Sequence, residues 1–206
     1  MSEEEKNDFI EFEKKYLKKL EGLKKMKETG LKMVYATDPR IKTIAEPVID
    51  FNDKLADFVD KMFTVMYAED GIGLAAVQVG VPKRVIVIDI PTTETNEKGE
   101  IISSTPNPIV VINPEILWTS DNLTELEEGC LSVPENRVIV KRPDKIKVKF
   151  YDLKGNEKIV EADGLLAKCF QHEIDHLNGK SIVVYLSKLK KDTVLKKIKK
   201  IVEKNG

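Results

Sequence analysis

The stretch ADGLLAKCFQHEIDHLNG, residues 162–179, holds both histidines of the chain, four apart in His172-Glu173-Ile174-Asp175-His176. Asp163 can cap a helix that runs to Leu177, and Asn178-Gly179 ends it. On such a helix, positions i and i+4 differ by about 40° of rotation and about 6 Å of rise, so two imidazoles can converge on one metal ion. Glu173 lies to the side, where a carboxylate reaches water at the site without taking a coordination position.

Outward from this helix the chain carries strand signals grouped between helix signals. Upstream, Lys145–Tyr151 sets Lys against Ile146, Val148 and Phe150, the period of a strand with one wet face, and Gly155-Asn156 turns it into Lys158–Glu161. Val138–Lys141, Ile109–Ile112 and Arg84–Ile90 read as further strands, and Pro91–Pro108 as a polar loop. Phe51–Tyr67 carries a helical apolar face of Leu55, Phe58, Val59, Met62, Phe63 and Met66. Residues 3–29 predict an N-terminal helix through Phe9, Phe12, Tyr16, Leu20 and Leu23, with six acids before residue 14 and eight lysines over residues 14–33. Downstream, Ser187–Gly206 carries eight lysines, with Val194, Ile198 and Ile201 spaced for one buried stripe. Strands grouped between helices without regular βαβ alternation predict an α+β domain.

With 206 residues and 41% hydrophobic content, the chain can bury a substantial core. A net charge of −1 gives no general case for nucleic-acid binding. No apolar run approaches the roughly 18–20 residues that span a bilayer, and MSEEEKNDFIEFEKK has no signal core, so a cytoplasmic protein without membrane contact is expected. Two cysteines make no disulfide framework and are expected as thiols.

A hydrolytic metal site usually has three protein ligands and an open position. An extended H-x-x-G-x-x-H continuation fails, because its last position is Ile182, and Glu203 is a weak candidate in the basic tail. Cys169 lies seven residues from His176, about 10 Å along a regular helix, too far for both to reach one ion. It reads better as a small apolar wall. Cys130, in Glu128-Gly129-Cys130-Leu131-Ser132, is left as the best third ligand. Gly71-Ile72-Gly73-Leu74-Ala75-Ala76-Val77-Gln78 imitates a dinucleotide fingerprint, but a helix precedes it and a strand follows, the reverse of the required order. A loop without bulky side chains instead lets a peptide backbone approach, and Gln78 can donate an amide hydrogen bond to a polarised carbonyl.

GIGLAAVQ (71–78), EGCLS (128–132) and QHEIDH (171–176), in this order and spacing, resemble the three signatures of the bacterial-type peptide deformylases. The likeness extends from about Val34 to Lys190, and it implies a catalytic domain at 34–190 between a charged N-terminal helical extension at 1–33 and a basic C-terminal helix at 191–206. It also implies mixed or antiparallel sheets packed around the central HExxH-bearing helix, with a C-terminal helix and an extra N-terminal helix. It implies a metallohydrolase that removes the formyl group from N-formyl-methionine of nascent polypeptides and releases formate. It implies Cys130, His172 and His176 as metal ligands, Glu173 as general acid and base, and Gln78 with the Leu131 N–H as donors to the formyl oxygen. Ile72, Gly73, Gly129, Arg137 and Cys169 fall at substrate-contacting positions. The implied cofactor is one divalent ion, Fe2+ first, with Zn2+, Ni2+ or Co2+ able to replace it. Close action to the ribosome makes the basic C-terminal helix a candidate ribosome contact. Two features depart from the family pattern: the long N-terminal helix and the long 91–108 loop. Two rivals remain on the residues alone. A general HExxH metallopeptidase is opposed by the thiolate ligand and the two further motifs. A non-catalytic metal-binding, ribosome-associated protein of the same fold is opposed by intact Glu173 and Gln78.

Overall fold

The computed structural model describes residues 21–96, 98 and 101–205. Most of the expected N-terminal helix lies outside the described residues; residues 21–28 are helical (α1). The chain continues through α2 (Asp53–Ala68), β1 (Gly73–Ala75), β2 (Val85–Asp89), the β3–β4 hairpin (Thr92–Thr95, Ile101–Thr105) and β5 (Pro108–Thr119). Then follow the β6–β7 hairpin (Leu123–Gly129, Arg137–Pro143), β8 (Lys145–Tyr151), β9 (Glu157–Asp163), α3 (Gly164–Leu177) and α4 (Lys188–Asn205). A five-stranded sheet in the order β1-β2-β5-β8-β9 pairs antiparallel throughout. The β3–β4 and β6–β7 hairpins stand as separate two-stranded sheets.

Strand β2 shows why α3 is central. All five of its residues are buried. Ile86 and Ile88 face a core shared with Phe170, Ile174 and Leu177 of α3, while Val85 and Val87 face a second core with Val59, Met62 and Met66 of α2. A strand with both faces covered has no wet side, which explains the unbroken VIVI run. In β8 the alternation holds: Ile146, Val148 and Phe150 are buried toward α3, while Lys147 and Lys149 pair with Glu161 and Glu115 on the other face. Met26, from α1, packs on the second core with Leu31 and Met33. A third cluster joins Val138 and Val140 of β7 to Ile182 and to Ile198 of α4.

Several local expectations are corrected. The polar 91–108 segment is a hairpin rather than a loop, because its Thr and Ser residues pair across strands whose described side chains are mostly exposed. Strand β5 runs seven residues further than Ile112, kept in one sheet by two register shifts. At the first shift Asn113 takes a positive φ of 52°, and its side chain bonds both the N–H and the carbonyl of Val48. β6 carries no apolar alternation in its sequence, LTELEEG, and buries only Glu128. Asp163 occupies the N-cap position of α3 but makes no side-chain cap bond. Among the described residues, no helix is long and apolar enough to cross a membrane.

Candidate metal centre and peptide cleft

Helix α3 presents its chemistry along one face. Lys168, Gln171, His172 and Asp175 stand at i, i+3, i+4 and i+7, and each makes a polar bond to the β6–β7 hairpin. Lys168 Nζ donates to the Thr124 carbonyl and hydroxyl. Gln171 Nε2 donates to the Pro143 carbonyl. His172 Nδ1 lies 2.9 Å from Glu128 Oε2, and Asp175 accepts from Arg142 at 2.8 Å. The hairpin is thus tied to the helix mainly by hydrogen bonds. Just beyond β6 the chain turns and delivers Cys130.

The outcome is a compact donor set. One donor atom each from Cys130, His172 and His176 lies within 4.8 Å of the others, and Cys130 Sγ is 3.2 Å from His176 Nε2. An ion with ligand bonds of about 2.0–2.3 Å spaces tetrahedral donors by about 3.5 Å, so small side-chain adjustments suffice for a fit. Glu128 occupies His172 Nδ1 and leaves Nε2 as the donor, the carboxylate–histidine arrangement that orients metal-binding imidazoles. Cys169 is not in the cluster. Its Sγ lies 3.8 Å from the Ile72 carbonyl, and burial pushes its thiol well above the ordinary range, so it stays protonated.

Glu173 is 4% exposed, and its Oε2 has no hydrogen-bond partner among the described residues. Burial pushes its carboxyl up to about 7, against the pull of His172. Gly73 makes room for it: a Cβ there would stand 2.6 Å from Glu173 Oε1 and 2.7 Å from Cys169 Sγ. Gln78 is buried and oriented, because the Ala75 N–H donates to its Oε1. Its Nε2 therefore faces Ser132 Oγ at 3.2 Å and Cys130 Sγ at 3.6 Å. A cleft of about 760 Å³ opens over the set, lined on one side by Gly71, Ile72 and Gly73 and on the other by Gly129, Leu131 and Arg137. Cys169, His172 and Glu173 also line it. All eleven residues singled out in the sequence lie in the donor set or along this cleft.

Sequence reasoning missed what stands behind the donors. Arg142 is 5% exposed and grips Glu128 with two bonds, Nε to Oε1 at 2.6 Å and Nη2 to Oε2 at 3.0 Å. Asp175 accepts from Arg142 and from the Tyr185 hydroxyl, and the guanidinium lies over the Tyr185 ring. Burial by itself raises the Glu128 carboxyl, but the bonds from His172 and Arg142 prevail and hold it below the ordinary glutamate range. A signal for Arg142 existed. Val138, Val140 and Arg142 share the inward phase of β7, and an arginine at an apolar phase needs a buried partner.

An α+β fold that closes a Cys/His/His donor set over a peptide-sized cleft defines the class of metal-dependent hydrolases. The polypeptide deformylase family profile matches residues 31–192. The chain is 44% identical over 171 residues to the peptide deformylase of Rickettsia akari (strain Hartford), covering 83% of this chain and 95% of that one. It is 47% identical over 171 residues to the peptide deformylase of Wolbachia pipientis wMel, at the same two coverages. Among solved structures, peptide deformylase from Ehrlichia chaffeensis superposes with a TM-score of 0.75 at 44% identity, covering 82% of this chain and 95% of that one. The Ehrlichia chaffeensis enzyme in complex with actinonin gives 0.73 at 43% identity, with 82% and 96% covered. The chain belongs to the peptide deformylase family.

The buried ion pair generates a stability prediction. Arg142→Met removes the cation but leaves Glu128 charged and enclosed, so unfolding free energy should fall by about 3–5 kcal/mol. Chemical denaturation followed by circular dichroism measures this; a loss below about 1 kcal/mol would show that the pair does not hold the hairpin.

Proposed function

We propose that this chain is a metal-dependent deformylase that hydrolyses the formyl group from N-formyl-methionine of nascent polypeptides and releases formate. The observation that carries the reading is the convergence of the donor set, Glu173 and Gln78 at the floor of one cleft. Cys130, His172 and His176 would hold the ion, with Fe2+ as the physiological metal and Zn2+, Ni2+ or Co2+ as substitutes that the same N/S donors accept. When bound, a divalent ion supplies Lewis acidity and lowers the pKa of water toward neutrality.

The remaining steps belong to the chain. Glu173, poised near neutrality, accepts a proton from the water that attacks the formyl carbon and passes it to the departing amine nitrogen. The C–N bond breaks, and formate and a free methionine amine leave. Gln78 Nε2 and the Leu131 N–H donate to the formyl oxygen as charge builds on it. Ile72, Gly73, Gly129, Arg137 and Cys169 line the path of the peptide. Residues 34–190 constitute the catalytic unit, with 1–33 and 191–206 as helical additions. The site is expected to work in the cytoplasm.

Anaerobically purified protein should release formate from formyl-Met-Ala-Ser, and metal analysis of the same sample should identify the ion; absence of formate release would remove the reading. Cys130→Ala should lose most bound metal while Cys169→Ala retains it, and equal loss from both would overturn the ligand assignment. Glu173→Ala should keep near-stoichiometric metal and lose at least about 10²–10⁴-fold in turnover. A metal-loaded Glu173→Ala protein with near-normal turnover would defeat the proton-transfer role.

Helix α4 supports a finer proposal, contact with ribosomal RNA. Ile198 is fully buried, while Lys196 and Lys200 are exposed on the outer side. Lys197 is less free than its neighbours, since its Nζ lies near the Glu135 carboxylate at 3.5 Å. Charge reversal of Lys196 and Lys200 should weaken ribosome co-sedimentation, and so should raised salt. Co-sedimentation insensitive to both would leave α4 as a packing element alone.

A further inference from the structure

The short connection between α2 and β1, residues 69–72, supplies one rim of the cleft. Both of its ends are held by a single residue that no motif includes. Asp89, 4% exposed at the end of β2, donates its N–H to the Ile72 carbonyl at 2.9 Å. This extends the β1–β2 ladder one bond past Gly73, whose partner is Ile88. The Asp89 carboxylate accepts from the Tyr67 hydroxyl at 2.6 Å, at the last turn of α2 where the connection begins. Its other oxygen accepts from the Asn107 N–H at 2.8 Å, where the β3–β4 hairpin returns to the sheet. Burial and the Asp89 carboxylate together push the Tyr67 hydroxyl up to about 12, so it remains a donor.

The placement of this rim is demanding. Ile72 O receives the Cys169 thiol, and Gly73 sits where any side chain would strike Glu173. A shift of half an ångström there alters how a peptide backbone lies against Glu173. We propose that Asp89 is a positioning residue for the peptide substrate, clamping the 69–72 rim at both ends and holding it at its distance from Glu173. This rests on the deformylase reading. It assigns Asp89 an effect on peptide affinity, separate from metal binding and from proton transfer.

Three variants test it with formyl-Met-Ala-Ser as the probe. Asp89→Ala removes both side-chain bonds and should raise KM about tenfold while kcat stays within about twofold and bound metal is unchanged. Tyr67→Phe removes only the α2 arm and should raise KM by about threefold; Tyr67 is 49% exposed, so the variant should fold whatever Asp89→Ala does. Asp89→Asn keeps an acceptor for Asn107 and can donate to the tyrosine oxygen, so it should restore KM to within about twofold of wild type. Calorimetric binding of the same peptide to metal-loaded Glu173→Ala, with and without Tyr67→Phe, should show the same ratio. Unchanged KM in Tyr67→Phe, or a kcat that falls in step with lost metal in Asp89→Ala, would overturn the proposal while leaving deformylation intact. No formate release by the wild type would instead remove both readings.

Discussion

The guanidinium of Arg142 is where the hairpin, the central helix and the approach to the last helix meet. It donates to Glu128 on β6 and to Asp175 on α3, and it lies over Tyr185 just before α4. Glu128 in turn bonds His172. Two charges at 5% and 6% side-chain exposure are costly to desolvate, and apolar residues of similar shape often serve stability as well or better. What an apolar replacement cannot do is accept from His172 Nδ1. The ion pair therefore makes sense as an orienting device: it keeps Glu128 charged, and Glu128 sets one imidazole with Nε2 turned toward the Cys130 and His176 donors. Because the same pair ties β6–β7 to α3, it also governs how Cys130 is delivered to the two histidines.

The rest of the fold can be understood as what keeps α3 fixed while one face of it stays polar. Ile174, Phe170 and Leu177 bury against β2 and β8, and α2 covers the opposite face of β2. At its C-terminal end the helix is tied by the Ala45 N–H to the Leu177 carbonyl and is followed, past the Asn178 cap, by Gly179, whose φ of +73° suits only glycine at low cost. A Cβ at Gly179 would also stand 2.5 Å from the Lys42 carbonyl. Apolar packing on one side and capping at the end hold the helix rigid, which lets its polar face be specified by hydrogen bonds to the hairpin. Functional groups on a helix fixed in this way are placed more closely than groups on loops.

How much of this could be read in the residues depended on the range of the signal. The helix carrying His172 and His176, the alternation of Lys145–Tyr151 and the apolar face of Phe51–Tyr67 are local patterns, and each corresponds to an observed element. Strand β6 left no such trace, since a hairpin bonded to α3 through polar groups need not alternate Leu with Lys. The Pro91–Pro108 segment reads as a loop for a related reason: exposed Thr and Ser occur in strands yet also satisfy the cues for a loop. At the site, the spacing of His172 and His176 was legible because four residues on a helix is a geometric statement. The inward phase of Val138 and Val140 marks Arg142 as buried, but its partners were not legible, because they are 14 and 33 residues away and only tertiary structure joins them.

Glu173 shows what the arrangement costs and why the cost is tolerated. A carboxyl enclosed at 4% exposure, with one oxygen lacking a partner among the described residues, would be strongly destabilising if it were held ionised without compensation. Here burial raises it toward neutrality, so neither the charged nor the neutral form is strongly disfavoured near pH 7. That balance suits a group that takes and returns one proton per turnover. It also requires that nothing fill the space beside the carboxyl, which is the role of Gly73, and that the backbone on which Gly73 rides does not drift. The ladder bond from Asp89 to Ile72 supplies that restraint from outside the three motifs.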